Sequence, residues 1–138
     1  MTGRPTGRLR EQVRRRASSR CEYSLIHEDD SYAQHQLDHI TAVRHGGETT
    51  LQNLALACFL CNRYKGSDVA ALDPSTGDVV RLFDPRRQRW KDHFTLQGAL
   101  IVPLTSTGRA TASLLRFNAP ERVIERRELL RAGRYRPA

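Results

Sequence analysis

The sequence lacks any apolar run approaching the roughly 18 residues that a membrane span requires. Its opening stretch, MTGRPTGRLREQVRRR, holds no apolar segment of the kind a secretory signal carries. A soluble, cytoplasmic protein with no membrane partner is therefore expected. Cysteine is scarce, at 3, and an odd number in a reducing compartment argues against a disulfide framework and for metal-binding or packing roles. Lysine is nearly missing: of 23 basic residues only Lys65 and Lys91 are not arginine. There is one tryptophan, and no internal repeat.

What is present is arginine, and a formal charge of +8 on 138 residues. Arginine pairs bidentately with phosphate and stacks on bases, so a polyanionic partner fits the composition. The charge is unevenly spread. Residues 1–20 hold seven Arg against one Glu, residues 21–68 three basic against seven acidic side chains, and residues 116–138 seven against three. Basic ends thus bracket an acidic middle, an arrangement suited to gripping phosphates at the periphery and holding a cation at the centre. The length fits one domain, residues 1–138, able to bury roughly two-thirds of its unfolded surface.

The pattern along the chain predicts an α+β protein. Leu9, Val13 and Ala17 recur at intervals of four in a basic N-terminal arm, residues 1–20, and suggest a short amphipathic helix. The run from Tyr32 to Val43 reads as a strand, RHGGETT as a glycine-containing loop, and NLALAC as a second short strand. NRYKGSDVAAL reads as a helix that Gly66 weakens. These make a β-β-α core over residues 21–72. An extension over residues 73–138 completes the chain, with a strand at Val79 to Phe83, another within residues 94–104, a helix in GRATASLLRF, and a last helix with Asn118 as N-cap, Pro120 in its first turn and Gly133 past its end.

The chemistry-bearing residues are Asp38-His39, Gly46-Gly47, Asn53 and Cys58-x-x-Cys61-Asn62. Adjacent residues on a strand point to opposite faces, so Asp38 and His39 divide their work: a carboxylate for a cation, and an imidazole able to take a proton from water near neutral pH. In combination the string LDHITAVRHGGETTLQNLALACFLCNRYKG resembles the HNH endonuclease motif, over about 45 residues from Cys21 to Gly66. The resemblance implies a ββα-metal core that hydrolyses phosphodiester bonds in DNA, duplex DNA most naturally, with one Mg²⁺ or Mn²⁺. It makes Asp38 and Asn62 ligands of that ion, His39 the general base, and Asn53 the residue that orients His39 by a hydrogen bond. The stretch TGDVVRLFDPRRQRWKDHF, together with the STGRAT segment nearer the C-terminus, resembles more weakly the C-terminal part of compact stand-alone bacterial HNH proteins.

Many HNH proteins flank this unit with two CxxC knuckles around a structural zinc. Here the second knuckle is intact, but the first reads Cys21-Glu22-Tyr23-Ser24, and a neutral hydroxyl is a far poorer zinc ligand than a thiolate. Three outcomes stay open: zinc on Cys21, Cys58 and Cys61 with His27, His35 or water as fourth ligand; thiols packed without metal; or a substitution carried by this sequence. Arg44, His45, Arg63 and Lys65 are candidate contacts to nucleic acid. His35 and His45 read as solvated or phosphate-proximal, and Trp90 as a core residue within a basic cluster. A nucleic-acid-binding module that keeps the ββα fold without cleaving is the alternative to a nuclease. Thiol redox chemistry is disfavoured because no thioredoxin-like βαβ pattern surrounds Cys58 and Cys61.

Overall fold

The computed structural model describes residues 7–136. The first six residues of the basic arm, Arg4 among them, lie outside it. Helix α1 (Gly7–Arg16) is followed by strands β1 (Gln36–His39) and β2 (Leu54–Ala57), helix α2 (Phe59–Lys65), strands β3 (Ala70–Leu72) and β4 (Val79–Arg81), the short helix α3 (Trp90–His93), strands β5 (Phe94–Gln97) and β6 (Leu100–Pro103), and helices α4 (Ser106–Leu114) and α5 (Pro120–Arg131). The strands form three separate antiparallel hairpins, β1-β2, β3-β4 and β5-β6. No helix among the described residues is long and apolar enough to cross a membrane.

The β1-β2 hairpin is the frame of the site. Leu37 pairs with Leu56, Asp38 with Ala55 and His39 with Leu54. Strand β2 is fully buried because its two faces serve two cores. Leu54 and Leu56 pack with Val13 of α1, with Leu37 and Leu51 against them. Ala55 and Ala57 face the larger core of Tyr23, Phe83, Phe94 and Phe117, where small side chains let α2 and the aromatic rings approach. Burial of this alternating kind is what fixes strand register. Strand β1 is shorter than the run from Tyr32 to Val43 predicted, because the chain turns at Thr41 and enters a 3₁₀ turn at Val43–His45.

Two further departures have local causes. Gly66 takes φ of +53° and ends α2, so Ala70–Leu72 is strand rather than helix and pairs with Val79–Arg81. Asn118 does not cap α5, whose N-cap is Ala119; its side-chain amide instead bonds the backbone N and O of Ile101, closing the β5-β6 hairpin onto the last helix. Gly133, with φ of +70°, does sit past the end of α5, where Gly133 N bonds Leu130 O and Arg134 N bonds Leu129 O. Trp90 is half-buried and packs against the core rather than inside it: its ring lies near Phe94 and its indole N–H donates to Tyr23 O at 2.8 Å.

Candidate active site and cysteine knuckle

The loop from Thr41 to Asn53 is built by one asparagine and one glycine. Asn53 Oδ1 accepts from Thr41 N at 2.9 Å, and its Nδ2 donates to Thr41 O at 2.9 Å and Glu48 O at 2.8 Å. Both amide hydrogens are spent on backbone, so Asn53 clamps the loop rather than donating to His39, which corrects the expected contact. Gly47 passes so close beneath Thr41 that a Cβ there would lie 1.7 Å from Thr41 O. Only glycine fits this approach. The HGG signal therefore reports packing of the loop.

His39 ends β1, half-buried, and its Nε2 is 2.9 Å from Thr49 Oγ1. The clamped loop thus delivers Thr49 to the ring, a partner that nothing in the sequence singled out. Among the described residues no hydrogen bond engages His39 Nδ1, which is the ring atom left for a water. Arg44 and His45 lie exposed on the 3₁₀ turn of the same loop, and Arg63 is exposed on α2.

Asp38 lies on the other face of β1, as strand alternation requires, and is sealed. It is 3 % exposed; Tyr23 OH donates to Oδ2 at 2.7 Å and Lys65 Nζ to Oδ1 at 3.2 Å. Burial pushes the Asp38 carboxyl above its ordinary range, with Lys65 and Tyr23 pulling it back. Lys65 is itself 2 % exposed and also donates to the carbonyls of His39 and Ile40, at 3.2 Å each. The expectation that Lys65 meets nucleic acid is corrected: it is a buried staple between α2 and the end of β1. Asn62 sits one turn before it with Nδ2 on Gln36 Oε1 at 2.5 Å. Asp38 and Asn62 share the α2 side of the hairpin, and a carboxylate with an amide oxygen suits a hard cation. As placed, however, both Asp38 oxygens are occupied and an ammonium stands against one of them. These residues do not fit a divalent ion in this arrangement.

The knuckle does fit one. The sulfurs of Cys21, Cys58 and Cys61 lie within 4.8 Å of one another, all buried. Ser24 N donates to Cys21 Sγ at 3.3 Å and Cys61 N to Cys58 Sγ at 3.5 Å, so backbone amides already point at sulfur in both turns. Ser24 Oγ is 3.6 Å from Cys58 Sγ, beside the triad where a fourth cysteine would stand. Neither of the two histidines weighed as fourth ligands joins the triad: among the described residues only the three cysteines bring ligand atoms within 4.8 Å of one another, and His35 Nδ1 is buried without a hydrogen-bond partner. His27 Nδ1 accepts from Asp29 N, and His35, 2 % exposed and hence neither solvated nor near phosphate, has Nε2 2.9 Å from Ile26 O. Without metal the thiols share their charge unevenly. Hydrogen bonding from its two neighbours holds Cys58 low, while burial pushes Cys61 up. A metal held by Cys21, Cys58 and Cys61 would tie the 21–24 turn to the start of α2.

The basic residues near these centres mostly brace the frame. Arg16 donates to Leu51 O at 2.8 Å and Leu54 O at 2.6 Å, pinning α1 to the start of β2, and Arg14 pairs with Glu28 at 2.5 Å. Arg86 binds Glu22, whose other oxygen accepts from Leu56 N.

The family model for HNH endonuclease matches residues 20–68, which contain β1, the clamped loop, β2, α2 and all three cysteines. This stretch is an HNH endonuclease domain, a domain of nuclease type. Residues 69–136, with β3 to β6 and α3 to α5, lie outside the match. No curated protein and no solved structure matches the chain.

Proposed function

We propose that the chain is a DNA endonuclease in which His39 is the general base. The observation that carries the reading is the placement of His39: it ends a buried hairpin, is held through Nε2 by Thr49, and has Nδ1 unengaged beside a loop that Asn53 and Gly47 lock. With the ring hydrogen on Nε2 and donated to Thr49, Nδ1 keeps its lone pair. It takes a proton from water, the water oxygen bonds to phosphorus, and the P–O bond to the leaving sugar oxygen breaks, that oxygen gaining a proton from solvent. Arg44, His45 and Arg63, all exposed on the same unit, grip the flanking phosphates. Asn53 positions the loop that carries Thr49. No step is assigned to a cation on Asp38 and Asn62.

The sealed state of Asp38 favours a second reading, a module that binds nucleic acid through its arginines and does not cleave. Incubation of the full chain with supercoiled plasmid, in Mg²⁺, in Mn²⁺ and in chelator, separates the two. Conversion to nicked or linear plasmid supports the nuclease. Binding that weakens with salt, with no conversion under any of the conditions, selects the module.

A further inference from the structure

One buried charge belongs to neither the hairpin nor its loop. Arg122, on α5 and outside the matched domain, is 6 % exposed, and its guanidinium reaches back across the core to the cysteines. Nη2 is 3.3 Å from Cys61 Sγ and 3.7 Å from Cys58 Sγ, while Nη1 donates to Leu115 O at 2.7 Å. Among the described residues no hydrogen bond joins it to Cys21. The guanidinium therefore sits at the Cys58–Cys61 edge of the sulfur triad.

Charge arithmetic gives this position a meaning. Three thiolates around Zn²⁺ sum to −1, and four would sum to −2. A buried net charge is costly unless a partner of opposite sign meets it with good hydrogen-bond geometry. One guanidinium, itself unable to lose its proton, balances a three-thiolate zinc centre and leaves a four-thiolate centre with an excess negative charge. The loss of a thiolate at Ser24 and the presence of Arg122 thus compensate one another. The fourth corner then needs only a neutral oxygen donor. Ser24 Oγ, 3.6 Å from Cys58 Sγ, is a neutral oxygen beside the triad.

We propose that Arg122 is the charge-balancing partner of a three-thiolate zinc centre on Cys21, Cys58 and Cys61, so that α5 completes a knuckle which the HNH domain leaves one ligand short. The centre is a structural one and owes nothing to the nuclease reading. It also adds a polar tie to the apolar core that the C-terminal extension shares with the domain: Arg122 of α5 meets the sulfurs with a charge that forms no ion pair with an acidic side chain among the described residues.

The test uses the full chain purified without chelator, its metal content by elemental analysis, and Co²⁺ as a spectroscopic substitute. The wild type should carry one zinc per chain, and its Co²⁺ form should show thiolate-to-metal charge transfer of the intensity of three Co–S bonds with tetrahedral ligand-field bands. Arg122→Met should lower Co²⁺ and Zn²⁺ affinity by roughly 10- to 100-fold in chelator competition, the usual cost of losing an outer-shell partner. Arg122→Lys, which keeps the charge, should stay closer to wild type than Arg122→Met. If Arg122→Met does not fold, the wild-type stoichiometry and spectrum together with Arg122→Lys still decide the matter. A wild type that carries no zinc and takes up no Co²⁺ overturns the proposal. So does Arg122→Met with wild-type affinity, or Arg122→Lys with an affinity loss as large as that of Arg122→Met.

Discussion

Replacing Lys65 by methionine tests the scaffold at its most exposed assumption, that the Asp38 pocket is closed by an ion pair. Methionine keeps the apolar stem and removes the ammonium, together with three hydrogen bonds of 3.2 Å to Asp38 Oδ1, His39 O and Ile40 O. Asp38, 3 % exposed, then keeps only Tyr23 as a side-chain donor. Removing one partner of a buried pair costs about 3–5 kcal/mol, because the other charge stays behind without compensation. For a chain of this size that corresponds to a fall in Tm of roughly 10–20 °C. Asp38→Asn should cost less, since Lys65 keeps its two carbonyls and the amide oxygen can still accept from Tyr23. The double variant should lie above the sum of the singles by about 1–3 kcal/mol, the coupling of residues in direct contact. Thermal and urea unfolding followed by circular dichroism read all three. A loss below about 1 kcal/mol for Lys65→Met refutes the reasoning, since a charge truly trapped in that pocket cannot be uncovered so cheaply. Asp38 would then be open to a cation after all.

Gly47→Ala should drive a Cβ into Thr41 O and displace the loop, lowering stability by about 3 kcal/mol, the upper range for overpacking against backbone; an unchanged melting curve contradicts the close approach. Thr49→Val removes the hydroxyl that holds His39 Nε2, and a lower rate with a displaced pH–rate profile is expected, measured beside an unchanged circular dichroism spectrum. A simple loss of stability with the profile in place would make Thr49 structural only. Asp73 is held down to about 2 by its bidentate pairing with Arg109, at 2.9 and 2.8 Å. A lowered carboxyl contributes stability above the ordinary aspartate range and loses it as pH falls toward 2, so Asp73→Asn should flatten the acid limb between pH 4 and pH 2 in stability against pH. An acid limb as steep as that of the wild type would show that Asp73 does not contribute to it.

Much of the hairpin was legible because its signals are strong and local. LALA is too short and too apolar for anything but a buried strand, and DH before it at strand spacing forces the two side chains apart. What escaped the sequence depends on distant partners. Lys65 read as a surface cation, yet it follows Cys61 by four residues and so shares the buried face of α2. Arg122 and Arg126 have the same spacing on α5, whose apolar residues form no single stripe; the two arginines turn inward to meet carbonyls of Leu115, Ala99 and Phe117. Ala70–Leu72 has helical composition but finds β4 across a turn, and pairing outweighs a weak propensity. Thr49 carries no motif at all. The clamp of Asn53 on Glu48 O, the neighbouring residue, holds the loop that brings Thr49 to the histidine.

The most direct measurement of the central claim is the single-turnover rate of plasmid nicking by His39→Ala relative to wild type, taken on folded protein. The ring is half-buried at the end of β1, so the melting temperature should move only slightly. A general base supplies about 10²–10⁴ in rate, and a loss of that size is predicted for the variant. Nicking by His39→Ala at the wild-type rate would contradict the role assigned to the histidine.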